Sequence, residues 1–220
     1  MEYTFREKVK TLLILIKEPK VLSKLLSLRL SGYLMDVGWF NAFKAGEPIG
    51  KNSEPLPWVT YSFIDFISER LNKDFSIFEF GSGNSTLFFA ERVKNVTTVE
   101  HNADWYNKLK EKLPGNVELI LSKSDLKEDY LDGLKKSDKN YDIIFIDGIH
   151  RVGCCYTAVN HLTDNGVIIL DDSEREEYKE GIEYLKSKGF KRIDFWEIPP
   201  GMFIRKCTTI FYQPVNCLEI

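Results

Sequence analysis

From residue 59 onward, short continuous apolar runs alternate with longer stretches in which apolar residues recur every three or four positions. The first pattern is that of strands buried on both faces, the second that of amphipathic helices. It predicts helices over 59–71, 85–93, 103–113, 154–162 and 174–188, and strands over 75–80, 96–100, 117–121, 141–147, 166–170, 190–196 and 207–212. The segment between 121 and 141 is polar and reads as a loop. Strands separated by helices imply an α/β fold: a doubly wound, mostly parallel seven-stranded sheet, Rossmann-like, covered on both faces. Only Pro199-Pro200-Gly201 and its flanks join the last two strands, so they should pair antiparallel.

Upstream the pattern changes. Val9, Leu12, Leu13 and Ile16, then Leu22, Leu25 and Leu26, fall at helical spacing, with a break near Pro19. The charges there are mostly basic, with Arg6, Lys8, Lys10, Lys17, Lys20, Lys24 and Arg29 against Glu2, Glu7 and Glu18. Such helices either pack on the core or on a second subunit of a homodimer, or rest peripherally on an anionic membrane surface. Residues 31–58 are rich in glycine and proline yet carry Trp39, Phe40, Phe43 and Trp58, aromatics that must be buried somewhere. This stretch is either a lid or substrate wall, or plain packing. The expected organisation is an N-terminal helical and aromatic-rich extension (1–57), a Rossmann-like domain (58–213) and a short tail (214–220).

Composition narrows the picture modestly. A net charge of −3 over 220 residues offers no general attraction to nucleic acid. Four cysteines without CxxC spacing point to a reducing cytoplasm, with the membrane surface as the alternative location. The N-terminal apolar residues are interrupted by lysines and match neither a secretory signal nor a membrane span.

The candidate chemistry lies at the carboxyl ends of the predicted strands, where open α/β sheets bind ligands. Acids stand at four of these ends: Glu79, Glu100, Asp147 and the pair Asp171-Asp172. One alone is readily a turn or cap residue, and Asp171-Asp172-Ser173 could simply cap the helix beginning near Glu174. Four together repel unless a cation, a proton or a ligand compensates them. Between the first two acids runs Gly81-Ser82-Gly83, a turn that lets a ligand approach the backbone.

Glu79-Phe80-Gly81-Ser82-Gly83, Glu100, the strand Tyr141–Asp147 and the terminal hairpin together resemble the class I S-adenosylmethionine-dependent methyltransferases. The resemblance covers about 59–213 and implies that fold, with its antiparallel final strand. It places the methionine end of the cofactor on Gly81, Ser82 and Gly83, with Ser85 and Thr86 following and Glu79 near the amino group. Glu100 would take the ribose hydroxyls, Ser124 and Asp125 the adenine, and Asp147 would border the cofactor. The set Asp147-Gly148-Ile149-His150-Arg151 with Asp171-Asp172 is similar to the divalent-metal-dependent O-methyltransferases. That similarity implies a magnesium ion on Asp147, Asp171 and Asp172, with His150 as the base; without a metal, His150 or Asp172 would orient and deprotonate the acceptor. In the alternative reading Arg151 ties a carboxylate in place and His150 is a loop residue.

The implied reaction is methyl transfer to an oxygen of a small molecule, sugar or glycan. A nicotinamide-dependent oxidoreductase is the runner-up, but Thr86 stands where G-x-G-x-x-G wants its third glycine. A non-catalytic cofactor-binding scaffold, engaging a partner through the N-terminal helices, is an alternative of another class.

Overall fold

The computed structural model describes residues 3–122 and 126–220. Helices α1 (Phe5–Lys17), α2 (Pro19–Ser27), α3 (Tyr33–Asp36), α4 (Trp39–Ala45) and α5 (Tyr61–Ser68) precede the sheet. Then β1 (Ser76–Phe80), α6 (Asn84–Ala90), β2 (Asn95–Glu100), α7 (Ala103–Lys110), β3 (Val117–Leu121), α8 (Lys127–Lys135) and β4 (Tyr141–Ile146) follow in turn. The chain closes with α9 (Arg151–Ala158), β5 (Leu162–Asp171), α10 (Lys179–Ser187), β6 (Lys191–Glu197) and β7 (Lys206–Tyr212).

The seven strands order as β3-β2-β1-β4-β5-β7-β6, with β7 antiparallel to both its neighbours and the other pairs parallel. The expected sheet and its antiparallel last pair are thus observed. β1 and β4 are adjacent and parallel although β2 and β3 come between them in sequence, so the order in which strands are added reverses between them. That reversal opens a crevice at the carboxyl ends of the central strands, where a doubly wound sheet takes its ligand.

Each face of the sheet is buried. Ile77, Ile143, Phe145 and Ile169 pack under α5 and α6 with Phe63, Ile67, Phe88 and Phe89. Phe78, Phe80, Ile144 and Ile168 face the other side with Tyr130, Leu134, Cys154 and Leu185. Alternate residues of one strand thus serve opposite layers, which is why these strands read as continuous apolar runs.

The polar stretch expected as a loop contains α8. Tyr130, Leu131 and Leu134 form a narrow buried stripe, while Lys127, Glu128, Asp129 and Asp132 supply the polarity that masked it. The 31–58 segment is also less irregular than expected, holding α3 and α4. It contributes Leu34, Trp39 and Leu56 to the core beneath α5. Trp39 donates to the Met202 carbonyl (3.1 Å) and packs at a tilt on the Phe203 ring, and Trp58 donates to the Pro200 carbonyl (2.9 Å). The segment is therefore a packed cap clamped to the β6–β7 connection.

Candidate functional site

Three loops meet at the crevice, and backbone bonds hold them there. The Gly81 N–H donates to the Val99 carbonyl (3.0 Å), Thr98 Oγ1 to the Gly81 carbonyl (2.8 Å) and the Asp147 N–H to the Phe80 carbonyl (3.0 Å). Gly81 has φ +93°, and a Cβ there would lie 3.1 Å from the backbone of Gly148. A Cβ on Gly148 would in turn overlap the Tyr130 hydroxyl. The loops after β1 and β4 touch because both residues lack a side chain.

Glu79 is fully buried and accepts from the hydroxyls of Ser85 and Thr86, residues in the first turn of α6. Burial pushes its carboxyl up to about 7, against the pull of those two hydroxyls. Thr86 Oγ1 also accepts from the Gly83 N–H (3.0 Å) and is wholly enclosed. Thr86 therefore braces the glycine turn and does not face a ligand, a correction to its expected role. Gly83 itself is extended (φ 172°), and a Cβ there would meet nothing within 4 Å.

Glu100 is buried at the end of β2. One carboxylate oxygen accepts from the N–H groups of His101 (2.9 Å) and Asn102 (2.8 Å), and the other from Ser82 Oγ (2.8 Å). A pocket of about 280 Å³ is lined by Glu79, Gly81, Ser82, Glu100, His101 and Asp147, among others. It adjoins a larger cleft of about 810 Å³ whose walls include Pro48 and Trp58 of the cap, Gly83, and Trp105 and Lys108 of α7. Ser82, Ser85 and Asp147 line both. Ser124 and Asp125 lie outside the described residues.

The three aspartates expected to hold a metal do converge, but the chain supplies the cations between them. Arg151 binds Asp147 (2.9 Å) and Asp172 (3.2 Å), and donates to the Asp171 carbonyl (2.6 Å). Lys206 binds Asp172 (2.8 Å) and Asp171, and donates to the Trp58 carbonyl (3.0 Å). Arg175 adds a third cation to Asp172 (2.8 Å), and Thr208 Oγ1 donates to Asp171 (2.8 Å). Three positive charges thus meet three negative ones. Among the described residues no cluster of His, Cys, Asp and Glu is arranged for a metal ion. A magnesium ion needs carboxylate oxygens free to turn toward it and room for its waters; here both oxygens of Asp171 and of Asp172, and one of Asp147, are already committed. The metal assignment to Asp147, Asp171 and Asp172 does not fit this arrangement, and the alternative role for Arg151 does.

Protonation follows the same geometry. Burial would raise Asp172, but Lys206, Arg151 and Arg175 outweigh it and hold its carboxyl below the ordinary range. Burial and the neighbouring Asp171 push Asp147 well above that range despite Arg151 and Lys206. Asp172, as a tightly paired carboxylate, is a poor proton acceptor, against its expected role. His150 is exposed at φ +53° in front of α9, its ring 6.2 Å from that of Tyr130, and it lines neither cavity. The sequence reading did not single out Lys206 or Trp105; Trp105 Nε1 donates to the Ser82 carbonyl (2.8 Å) and closes the turn from α7.

A buried carboxyl poised near neutrality makes stability depend on pH. The folded chain holds a proton on Glu79 that the unfolded chain releases near 4.5, so this contribution is complete below about 4.5 and lost as pH rises through about 7. Its size is up to about 3 kcal/mol. The Tm of the wild type should fall across that window, and Glu79→Gln should flatten the fall. Parallel profiles would refute the assignment.

Residues 78–173 match a family model described as "Methyltransferase domain". That stretch is similar to methyltransferase domains. Its span runs from β1 through the acid pair after β5 and includes both candidate acid clusters. No curated protein matches the chain in sequence. Among solved structures it is similar to the O-methyltransferase from Bacillus cereus in complex with SAH (TM-score 0.56, 16% identity, 88% of this chain and 97% of that one). It is also similar to precorrin-6y C5,15-methyltransferase from Geobacter metallireducens (0.53, 16%, 69% and 86%) and to a methyltransferase from Pyrococcus furiosus (0.51, 20%, 69% and 81%). At these identities the likeness is one of fold, and the fold is the class I methyltransferase sheet. No described helix is long and apolar enough to cross a membrane.

Proposed function

We propose that the chain binds S-adenosylmethionine in the smaller pocket and transfers its methyl group to a hydroxyl oxygen of an acceptor held in the adjoining cleft. The observation that carries this reading is the continuity of the two cavities at Ser82, Ser85 and Asp147. The donor set suits such a cofactor. Glu79 offers a buried carboxyl that a ligand ammonium would draw into its charged form, and Glu100 with Ser82 offers a hydrogen-bonding edge for a ribose diol. Gly83, on the wall of the adjoining cleft, leaves open the side where the cofactor's methyl end would meet the acceptor.

When bound, the cofactor supplies a methyl group made electrophilic by its sulfonium. The chain's part is then to align the acceptor oxygen and to take its proton. Asp147 is the carboxylate common to both cavities, and its raised affinity for a proton suits it to that task. Arg151 fixes its orientation at 2.9 Å. Trp58 and Trp105 offer apolar faces to a ring, and Glu47, Lys108 and Lys112 offer polar partners around it. That mixture supports a hydroxylated small molecule or a sugar as the acceptor.

Calorimetry with S-adenosylhomocysteine tests the first half. Wild type should bind, and Glu100→Ala should bind roughly tenfold or more weakly, since a hydrogen bond to a charged group contributes about 1.5–3 kcal/mol. Asp147→Asn should retain that binding while losing methyl transfer to hydroxylated acceptors. Wild type that ignores the homocysteine product but takes NADH would sink the reading.

A further inference from the structure

Among the described residues, nothing buries the two N-terminal helices. Thr4 and Glu7 form a reciprocal capping box at the start of α1, and Pro19 opens α2, so both helices are locally well specified. Along α1, Phe5, Val9, Leu12, Leu13 and Ile16 fall on one face at about 100° per residue. Phe5 is 81% exposed, Leu12 54% and Ile16 58%, and no residue of either helix is buried. Val21, Leu25 and Leu28 make the corresponding face of α2, also exposed. Contiguous apolar surface on this scale marks a docking face.

Charge identifies what docks. On α1 the apolar stripe is flanked by Lys8 on one side and by Arg6, Lys10 and Lys17 on the other. Residues 1–30 carry seven basic and three acidic residues, a net charge of +4, in a chain whose total is −3. A second copy would bring two such positive surfaces together, whereas an anionic bilayer supplies opposite charge and an apolar interior at once.

We propose that α1 and α2 lie in the plane of an anionic membrane surface, with their apolar faces among the acyl chains and their lysines and arginines at the headgroups. Two residues past the end of α2, Arg29 lies over the Phe40 ring at 4.6 Å and joins the anchor to the cap. The cap exposes Phe43, and the β6–β7 connection clamped to it exposes Phe203 and Ile204, with Lys44 and Arg205 adjacent in sequence. The anchor therefore runs directly into the segment that walls the cleft, and docking sets the cleft beside the bilayer.

Sedimentation of the full-length protein with vesicles tests this independently of any methyl transfer. The protein should pellet with phosphatidylcholine vesicles containing phosphatidylglycerol, stay in solution with phosphatidylcholine alone, and be released by high salt. Leu12→Asp with Leu25→Asp should weaken binding by more than about tenfold. Lys10→Glu with Lys17→Glu should lose about fivefold or more per residue. Both variants should keep the wild-type Tm, because neither site touches the core. Indifference to anionic vesicles, or equal binding to neutral ones, overturns the proposal. A concentration-dependent dimer that Leu12→Asp dissociates, in a protein that ignores vesicles, would assign the face to a second copy instead.

Discussion

Lys206→Met should destabilise the protein by about 3 kcal/mol, lowering its Tm by roughly 6–12 °C. Lys206 is buried, and its ammonium sits between Asp171 and Asp172, raised in proton affinity by both although burial opposes this. Methionine fills much the same volume but leaves two enclosed carboxylates short of one cation. The cost is therefore that of orphaned charge and not of lost packing. It stays near the lower end for a broken buried pair because Arg151 and Arg175 remain in place. Adding Asp171→Asn should recover part of the loss, since one charge disappears with its partner. Magnesium or chelator should leave the wild-type Tm unchanged, as the carboxylates already have their counter-ions. A harmless Lys206→Met, or a wild-type Tm that magnesium specifically raises, would show that the cluster is built for an ion after all.

A second large effect is expected from Gly83→Val: binding of S-adenosylhomocysteine falls by more than about a hundredfold while circular dichroism and Tm stay near wild type. The backbone at Gly83 is extended, a conformation any residue adopts, and the space where a Cβ would stand is empty. That space borders the cleft beside the Ser82–Ser85 turn. A branched side chain should occupy it without disturbing the fold. Gly81→Ala should behave in the opposite way. At φ +93° an alanine is strained by roughly 1–2 kcal/mol, and its Cβ would press on the Gly148 backbone at 3.1 Å. Stability should fall first there and binding only as a consequence. If Gly83→Val binds normally, the bound cofactor does not reach the cleft wall at Gly83 and its placement across the two cavities is wrong.

These contrasts mark how far each level of description reaches. The sheet was legible because its strands are buried on both faces, so Ile143-Ile144-Phe145-Ile146 stands out against any background. The acids at strand ends were legible because chain direction alone brings strand termini to one edge. Helix α8 was not, because three buried residues among charged ones leave too narrow a stripe to read. The roles of individual carboxylates were least legible. Asp147, Asp171 and Asp172 look the same in sequence whether a metal or a lysine lies between them. Lys206 pairs with Asp171 from 35 positions further along the chain, at the start of a strand whose place beside β5 only the antiparallel register of β7 sets. His150, three residues past Asp147, shared its loop but not its direction, since φ +53° turns the chain into α9 on the Tyr130 side. The sequence by itself determined the sheet, the glycine turn and the edge where the chemistry gathers, since all three follow from local periodicity and chain direction. Only the tertiary structure decided which charges neutralise one another and which carboxylate faces the cleft, because those depend on contacts between strands far apart in the chain.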